Sequence, residues 1–516
     1  MPFENEMTFV RMQNAGREEE FHRLYEEALK EAGKYLGKEY PNIVVNDVVE
    51  KEKIKDTSPI DGSELATFQL SSADTLKKAL QTLSSAYRSW YAKGYTHRSM
   101  VMLKVADRLS QEKFRISALL AYENGKNRTE AIADVDEAID FLRYYALSNI
   151  ENQGFARFTG KGYDNEESIS LMKPYGVFAV IPPFNFYAIT VGMVAGPLTV
   201  GNAVLLKPSS DIPISSYLTV RIMHECGVPK EVLVFLSGAG SIVGRQIVES
   251  DLISGIVFTG SREVGMNIYR GAQAIRPKPV ITEMGGKDAV IVTARADLKK
   301  AVEGVFRGSF GFAGQKCSAT SLVYVEETVY DSFVSGLTER TKNVHPDDPR
   351  KRDTFLNPVV NREAFEKFKS LIPEFHKYGK VVAGGKVVDR PGYYVEPTVI
   401  TDVHKDSDLV KNELFLPVLG VLKVKNLKEA VEEVNRSEYG LTGGIFSEDR
   451  AEIQYYFDNV DAGVIYANRA RGATTGAIVG SQPFVGWKWS GISGKGTGSF
   501  YYLQQFLREQ AQTIAH

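Results

Sequence analysis

Hydrophobic positions follow two different patterns along the chain. In residues 17–36, REEEFHRLYEEALKEAGKYL, the apolar side chains Phe21, Leu24, Tyr25, Ala28 and Leu29 recur at helical spacing among charges, which predicts an amphipathic helix packed by one face. Helical spacing continues from Ser72 to about Leu147, interrupted at 123–126, so two long helices are expected there. The pattern then changes. Short apolar runs, GVFAVI (176–181), AVLLK (203–207), VLVFL (232–236) and GIVFT (255–259), alternate with helical stretches near 212–226 and 241–250. Runs without polar alternation fit strands buried on both faces, and their alternation with helices predicts a doubly wound parallel sheet. A second series, AVIV (289–292), LVYVEE (322–327), VLGVLKV (418–424) and GVIYAN (463–468), predicts a second α/β domain. Residues 152–172 are polar, Gly-containing and alternating, and the tail 499–516 mixes aromatics with Gln, as expected of excursions that pair with another subunit.

Composition narrows the function classes. The chain has 516 residues, 43% of them hydrophobic, enough for two or three domains with their own cores. Its 62 basic and 64 acidic side chains leave a net charge of −2, so no bulk field draws it to nucleic acid or an anionic membrane, and a small-molecule substrate is expected. No apolar run approaches the roughly 20 residues of a membrane-spanning helix. The N-terminus has neither a secretion signal nor an Arg-rich transit character. Two cysteines, Cys226 and Cys317, are too few for a disulfide framework and point to a reducing compartment, the cytoplasm. No metal site is expected.

The two cysteines differ in surroundings. Cys226, in IMHECGVP at a helix end, reads as a small buried hydrophobe. Cys317 lies in GSFGFAGQKCSAT (308–320), where glycines let backbone N–H groups approach a carbonyl oxygen and the adjacent Lys316 is expected to favour the nucleophilic thiolate. Glu283, in VITEMGGKDAV after a strand-like run, is placed for general-base work, although such a carboxylate also reads as a surface acid. Asn185, in IPPFNFY (181–187), can aim an amide at an oxyanion, or serve as an ordinary turn residue. LLKPSSD (205–211), with Lys207, and FTGSREVG (258–265), with Thr259, Gly260 and Ser261, each follow a strand, and the second opens a helix whose N-terminus can cradle phosphate. LSGAGSIVG (236–244) is one residue out of register with a GxGxxG fingerprint and is assigned, with Gly240, to packing beside a cofactor.

Taken together, IPPFNF, LLKPSS, FTGSREVG, EMGGKD, GFAGQKCSA, ELFLPVL, YGLTGGIFS and QPFVGWKWSG stand in the order and near the intervals of the aldehyde dehydrogenase superfamily, which the chain resembles from about residue 40 to 510. GQKCSA, GKN (125–127) with an acidic helix after it, and TGAIVGSQPF (475–484) resemble the 1-pyrroline-5-carboxylate dehydrogenase branch. The resemblance implies an α/β fold with a Rossmann-like NAD(P)-binding domain (1–151, 173–288 and 472–491), a catalytic domain (289–471) and a small β oligomerisation flap (152–172 and 492–516) in a homo-oligomer. It implies that Cys317 attacks an aldehyde, that Asn185 and the Cys317 N–H hold the oxyanion, and that Glu283 activates water. Cofactor contacts would come from Ile181, Pro182, Lys207, Ser209, Ser210, Gly240, Thr259, Gly260, Ser261, Val264, Glu413 and Phe415. Phe186 and Phe484 would flank the chain of a glutamate γ-semialdehyde, with Ser318, Gly476 and Ala477 at its carboxylate and Glu137 near its ammonium; for Glu137 a solvated helix face is the competing reading.

Three departures qualify this. Val485 replaces the first glycine of PFGG, Phe184 replaces the tryptophan of PWN, and Ser210 stands where NAD-selective members carry glutamate, which leaves NADP open beside the favoured NAD. Arg469 and Arg471 keep a second substrate, succinate semialdehyde or a broad aliphatic aldehyde, in contention. A silent relative acting as a binding or structural protein is the reading from another class, opposed by the joint presence of Cys317, Glu283, Asn185 and Lys207.

Overall fold

The computed structural model describes residues 3–470 and 478–516. The helical first third holds Glu18–Ala32, Ala73–Ala92, Tyr95–Glu123 and Arg128–Glu151. Three helices, not two, therefore fill 72–151. The added break falls at Gly94, whose φ of +83° carries the chain out of one helix and into the next. At the other break Asn127 caps Arg128–Glu151, its side chain accepting the Glu130 N–H.

A seven-stranded sheet follows, in the order Val280–Glu283, Gly255–Thr259, Val177–Ile181, Ala203–Leu206, Leu233–Phe235, Asn42–Val44, Asn46–Val48. The first five strands are parallel and the last two add antiparallel edges. Sequence order reverses between Val177–Ile181 and Gly255–Thr259, and a crevice at the carboxyl ends of such neighbouring strands is where open α/β sheets take ligands.

The second seven-stranded sheet runs Lys380–Ala383, Thr398–Thr401, Val418–Val424, Thr320–Glu326, Asp288–Val292, Thr442–Phe446, Val464–Ala467, parallel but for the first. Each large sheet has its own apolar core. A three-stranded antiparallel flap joins Ala156–Gly160, Glu166–Pro174 and Leu507–Ala515. Less of the tail belongs to it than the pattern suggests, because Tyr502, Leu503 and Phe506 insert into the core of the first sheet. Among the described residues no helix is long and apolar enough to cross a membrane.

Candidate active site

The nucleophile loop begins where the helix Leu298–Phe310 ends. Phe312 and Ala313 both take left-handed φ/ψ (51°, 37°), which costs on the order of 1 kcal/mol per residue and persists only under external restraint. The restraints are visible. Glu130 accepts the Phe312 N–H at 3.0 Å, and the buried Gln315 side chain donates to Phe312 O and accepts the Val360 N–H at 2.8 Å. Gly314 has φ +68°, and a Cβ there would stand 2.5 Å from Leu416 O, so the turn demands glycine. Cys317 emerges from this loop partly accessible.

Asn185 arrives from the first sheet. The turn after Val177–Ile181 leads into the helix Tyr187–Thr199, whose first N–H groups lack a cap from their own segment. Asp134 of the distant helix Arg128–Glu151 supplies one, accepting Tyr187 N–H at 3.0 Å and Ala188 N–H at 2.8 Å. Lys126, buried, pairs with Asp134 at 2.5 Å and lies over the rings of Phe186 and Phe312 at 4.3 and 4.9 Å. The Asn185 amide then donates to Gln315 O at 3.0 Å, two residues before the cysteine. A carboxamide has two N–H donors, so one can fix the orientation while the other remains for an oxyanion.

Glu283 ends the strand Val280–Glu283, its backbone carbonyl accepting Gly260 N–H at 3.1 Å and its carboxylate accepting Gly486 N–H at 3.0 Å. Burial lifts its pKa well above the ordinary carboxylate range, against the opposing hydrogen bond from Gly486. The glycines after it pack on the nucleophile loop: a Cβ on Gly286 would lie 2.5 Å from Cys317 O. Gly486 draws the segment of Phe484, itself paired with Thr497, to the same place.

Electrostatics at the sulfur run opposite to the sequence expectation. Lys316 does not support the thiolate; its ammonium pairs with Glu130 at 2.6 Å. Burial first, then Asp288, Glu413 and Glu283, pushes the Cys317 thiol well above its ordinary pKa. Glu413 is folded against the neighbouring loop, accepting Gly286 N–H at 3.1 Å, and burial raises it to about 7. Glu137 is not on a solvated face: it is partly buried, and burial with nearby Asp134 raises it to about 8. On the helix after GKN the sequence singles out Glu137 and not Glu130 or Asp134; their i,i+4 spacing is the signal that points to them.

The remaining expected cofactor positions gather at the carboxyl ends of the first sheet. Ile181 and Pro182 close one strand, Lys207 follows the next, and Thr259 and Gly260 close a third. Ser261 caps the helix Arg262–Ile275, accepting Val264 N–H, and Val264 is exposed in its first turn. Lys207 is mostly enclosed, and burial lowers its pKa; its ammonium donates to Pro208 O at 3.2 Å. Ser209 bonds Asp211, while Ser210 and Gly240 are exposed. Phe415 takes φ +60° and meets Phe184 edge-to-face at 5.9 Å. A cation and a helix N-terminus along one sheet edge fit the hydroxyls and pyrophosphate of a dinucleotide. Ser318 is buried directly after the nucleophile. Gly476, Ala477 and Arg471 lie outside the described residues, and Arg469 is half-buried.

Residues 47–511 match the model of the aldehyde dehydrogenase family. The chain belongs to the aldehyde dehydrogenase family. Among curated relatives it is 37% identical to 1-pyrroline-5-carboxylate dehydrogenase 2 of Bacillus subtilis, over 100% of this chain and 99% of that protein. It is also 37% identical to 1-pyrroline-5-carboxylate dehydrogenase 1 of Halalkalibacterium halodurans, over 96% of each. A crystal structure of 1-pyrroline-5-carboxylate dehydrogenase from Thermus with bound NAD superposes with a TM-score of 0.94 at 36% identity, covering 100% of this chain and 99% of that one. Aldehyde dehydrogenase membership accounts for the two parallel sheets and the meeting of their loops around one cysteine.

Proposed function

We propose that this aldehyde dehydrogenase oxidises L-glutamate γ-semialdehyde, the open form of 1-pyrroline-5-carboxylate, to L-glutamate with NAD as oxidant, NADP being tolerated through the small Ser210. The observation that carries the reading is the convergence of Cys317, Asn185 and Glu283, each brought from a different segment, in a chain similar end to end to enzymes named for that substrate.

Cys317 Sγ adds to the aldehyde carbon as its S–H bond breaks, the proton passing to solvent water and the carbonyl π pair going to oxygen. The alkoxide that forms is held by the free N–H of Asn185 and the Cys317 backbone N–H. The nicotinamide supplies the hydride acceptor that turns the adduct into a thioester. Glu283, deprotonated, takes a proton from water, whose oxygen attacks the thioester carbon and releases the acid and the cysteine. Lys207 and the first turn of Arg262–Ile275 anchor the dinucleotide, with Ile181, Pro182, Ser209, Gly240, Thr259, Gly260, Glu413 and Phe415 along its path. Phe186 and Phe484 border the aliphatic chain. Ser318 with Gly476 and Ala477 takes the carboxylate, and Glu137 the ammonium. Residues 1–151, 173–288 and 472–491 bind the dinucleotide and 289–471 carry the chemistry, and the flap, with Phe158 and Ile514 exposed at 86% and 61%, docks on a second copy. The protein works in the cytoplasm.

The test compares turnover of 1-pyrroline-5-carboxylate with that of succinate semialdehyde, each with Cys317→Ser as control. The expected result is a kcat/KM preference for the former and loss of both in the variant. A preference for succinate semialdehyde would move the substrate assignment toward Arg469.

A further inference from the structure

The cation nearest the nucleophile in sequence has its ammonium taken by a carboxylate, and charged groups surround that pair. Lys316 donates to Glu130 Oε1 at 2.6 Å, and Glu130 is itself fixed: its N–H donates to Asn127 Oδ1 at 3.0 Å, and its Oε2 accepts both the Asn127 amide at 3.2 Å and the Phe312 N–H at 3.0 Å. Room for the pair comes from Gly311, where a Cβ would stand 3.2 Å from Glu130 Oε1 and 3.4 Å from Lys316 Nζ. The charged groups beyond them are Lys126, Asp134 and Glu137, all on the helix side. On the sulfur side are Asp288, Glu413 and Glu283, every one a carboxyl group. Lys287, the other lysine nearby, is buried between Glu413 and Asp288, and among the described residues its ammonium has no hydrogen-bond partner.

We propose that Glu130 is a positioning residue that withholds the Lys316 ammonium from Cys317, keeping the resting nucleophile a thiol while the same carboxylate pins the left-handed loop that presents it. One side chain thus sets both the loop geometry and the local charge. A thiol is a poorer target than a thiolate for oxidants and stray electrophiles, so the resting enzyme is shielded until its ligands enter. The inference rests on Cys317 being the nucleophile, but alkylation of that thiol can be measured whether or not it is.

The test is the pH dependence of iodoacetamide alkylation of Cys317, read by mass on its peptide in the parent, Glu130→Gln, Lys316→Met and the double variant. Removing the Glu130 charge releases the ammonium of the residue next to Cys317, so Glu130→Gln should lower the midpoint by about 1 pH unit or more and speed alkylation about tenfold below it. Lys316→Met should match the parent, and the double variant should return to it. An unshifted midpoint in Glu130→Gln, a shift that survives in the double variant, or a raised midpoint in Lys316→Met would each overturn the proposal. The last arm stands even if Glu130→Gln fails to fold. Loss of turnover in Cys317→Ser, by contrast, bears only on the nucleophile assignment.

Discussion

The cofactor edge and the nucleophile pocket are built in opposite ways. At the cofactor edge, Lys207 and Ser261 follow the ends of parallel strands, and their side chains bond within their own segments, to Pro208 O and to Val264 N–H. Around Cys317 the opposite holds. Phe312 is held by Glu130, and Tyr187 and Ala188, just after Asn185, by Asp134, both carboxylates coming from the helix Arg128–Glu151; Lys126, just before that helix, lies over Phe186, and Glu283 is held by Gly486. The first region can bind by virtue of local backbone geometry. The second must hold an amide and a sulfur in register, and for that the fold uses one rigid helix as a common ruler.

Variants on the two sides should therefore fail differently. Asp134→Ala removes the cap of Tyr187–Thr199 and the counterion of Lys126 together, and kcat should fall on the order of 10²-fold with cofactor KM nearly unchanged. Steady-state kinetics with Asp134→Ala/Lys126→Met, which leaves no unpaired buried cation, separates loss of register from loss of folding. A cofactor KM that rose as much as kcat fell would erase the distinction. On the other side, Lys207→Met should raise cofactor KM about tenfold, the loss of one charge-assisted hydrogen bond, with little change in kcat.

A further effect concerns stability. Glu137 has its pKa raised to about 8, chiefly by burial, against an ordinary value of 4.5. Between those limits the folded state holds a proton that the unfolded state releases, so this group makes stability fall as pH rises from about 4.5 to about 8. Its contribution is at most about 1.4 kcal/mol per pH unit. Urea unfolding at pH 6 and pH 8 should give a shallower decline in Glu137→Gln than in the parent. Equal slopes would mean that the carboxyl is as solvated as the helix pattern alone implied.

How much the sequence disclosed follows the same division. Runs such as GVFAVI and VLGVLKV gave strands at Val177–Ile181 and Val418–Val424 because burial on both faces leaves an unmistakable apolar stretch. The strand Thr442–Phe446 was not legible, since TGGIF carries two glycines that read as a turn; in the sheet they admit the Tyr456 and Tyr466 side chains. Gly94 hid a helix break inside one continuous periodicity. Cys317, Glu283 and Asn185 stand out as residues, but only the family resemblance brings them to one site; the contacts that do so run between segments separated by tens to more than a hundred positions. The error over Lys316 has the same origin. Adjacency in sequence suggested a cation at the sulfur, and a carboxylate 186 residues away took it.

The account turns on a covalent bond at Cys317 that Glu283 is needed to break. Incubating Glu283→Gln with 1-pyrroline-5-carboxylate and NAD, then measuring intact mass and the peptide spanning residue 317, tests that directly. The account predicts a burst of NADH close to one per subunit, a rate about 10²-fold or more below the parent thereafter, and a glutamyl group thioester-linked to Cys317. Steady turnover at the parent rate with an unmodified peptide, or a glutamyl group on any other residue, would contradict it.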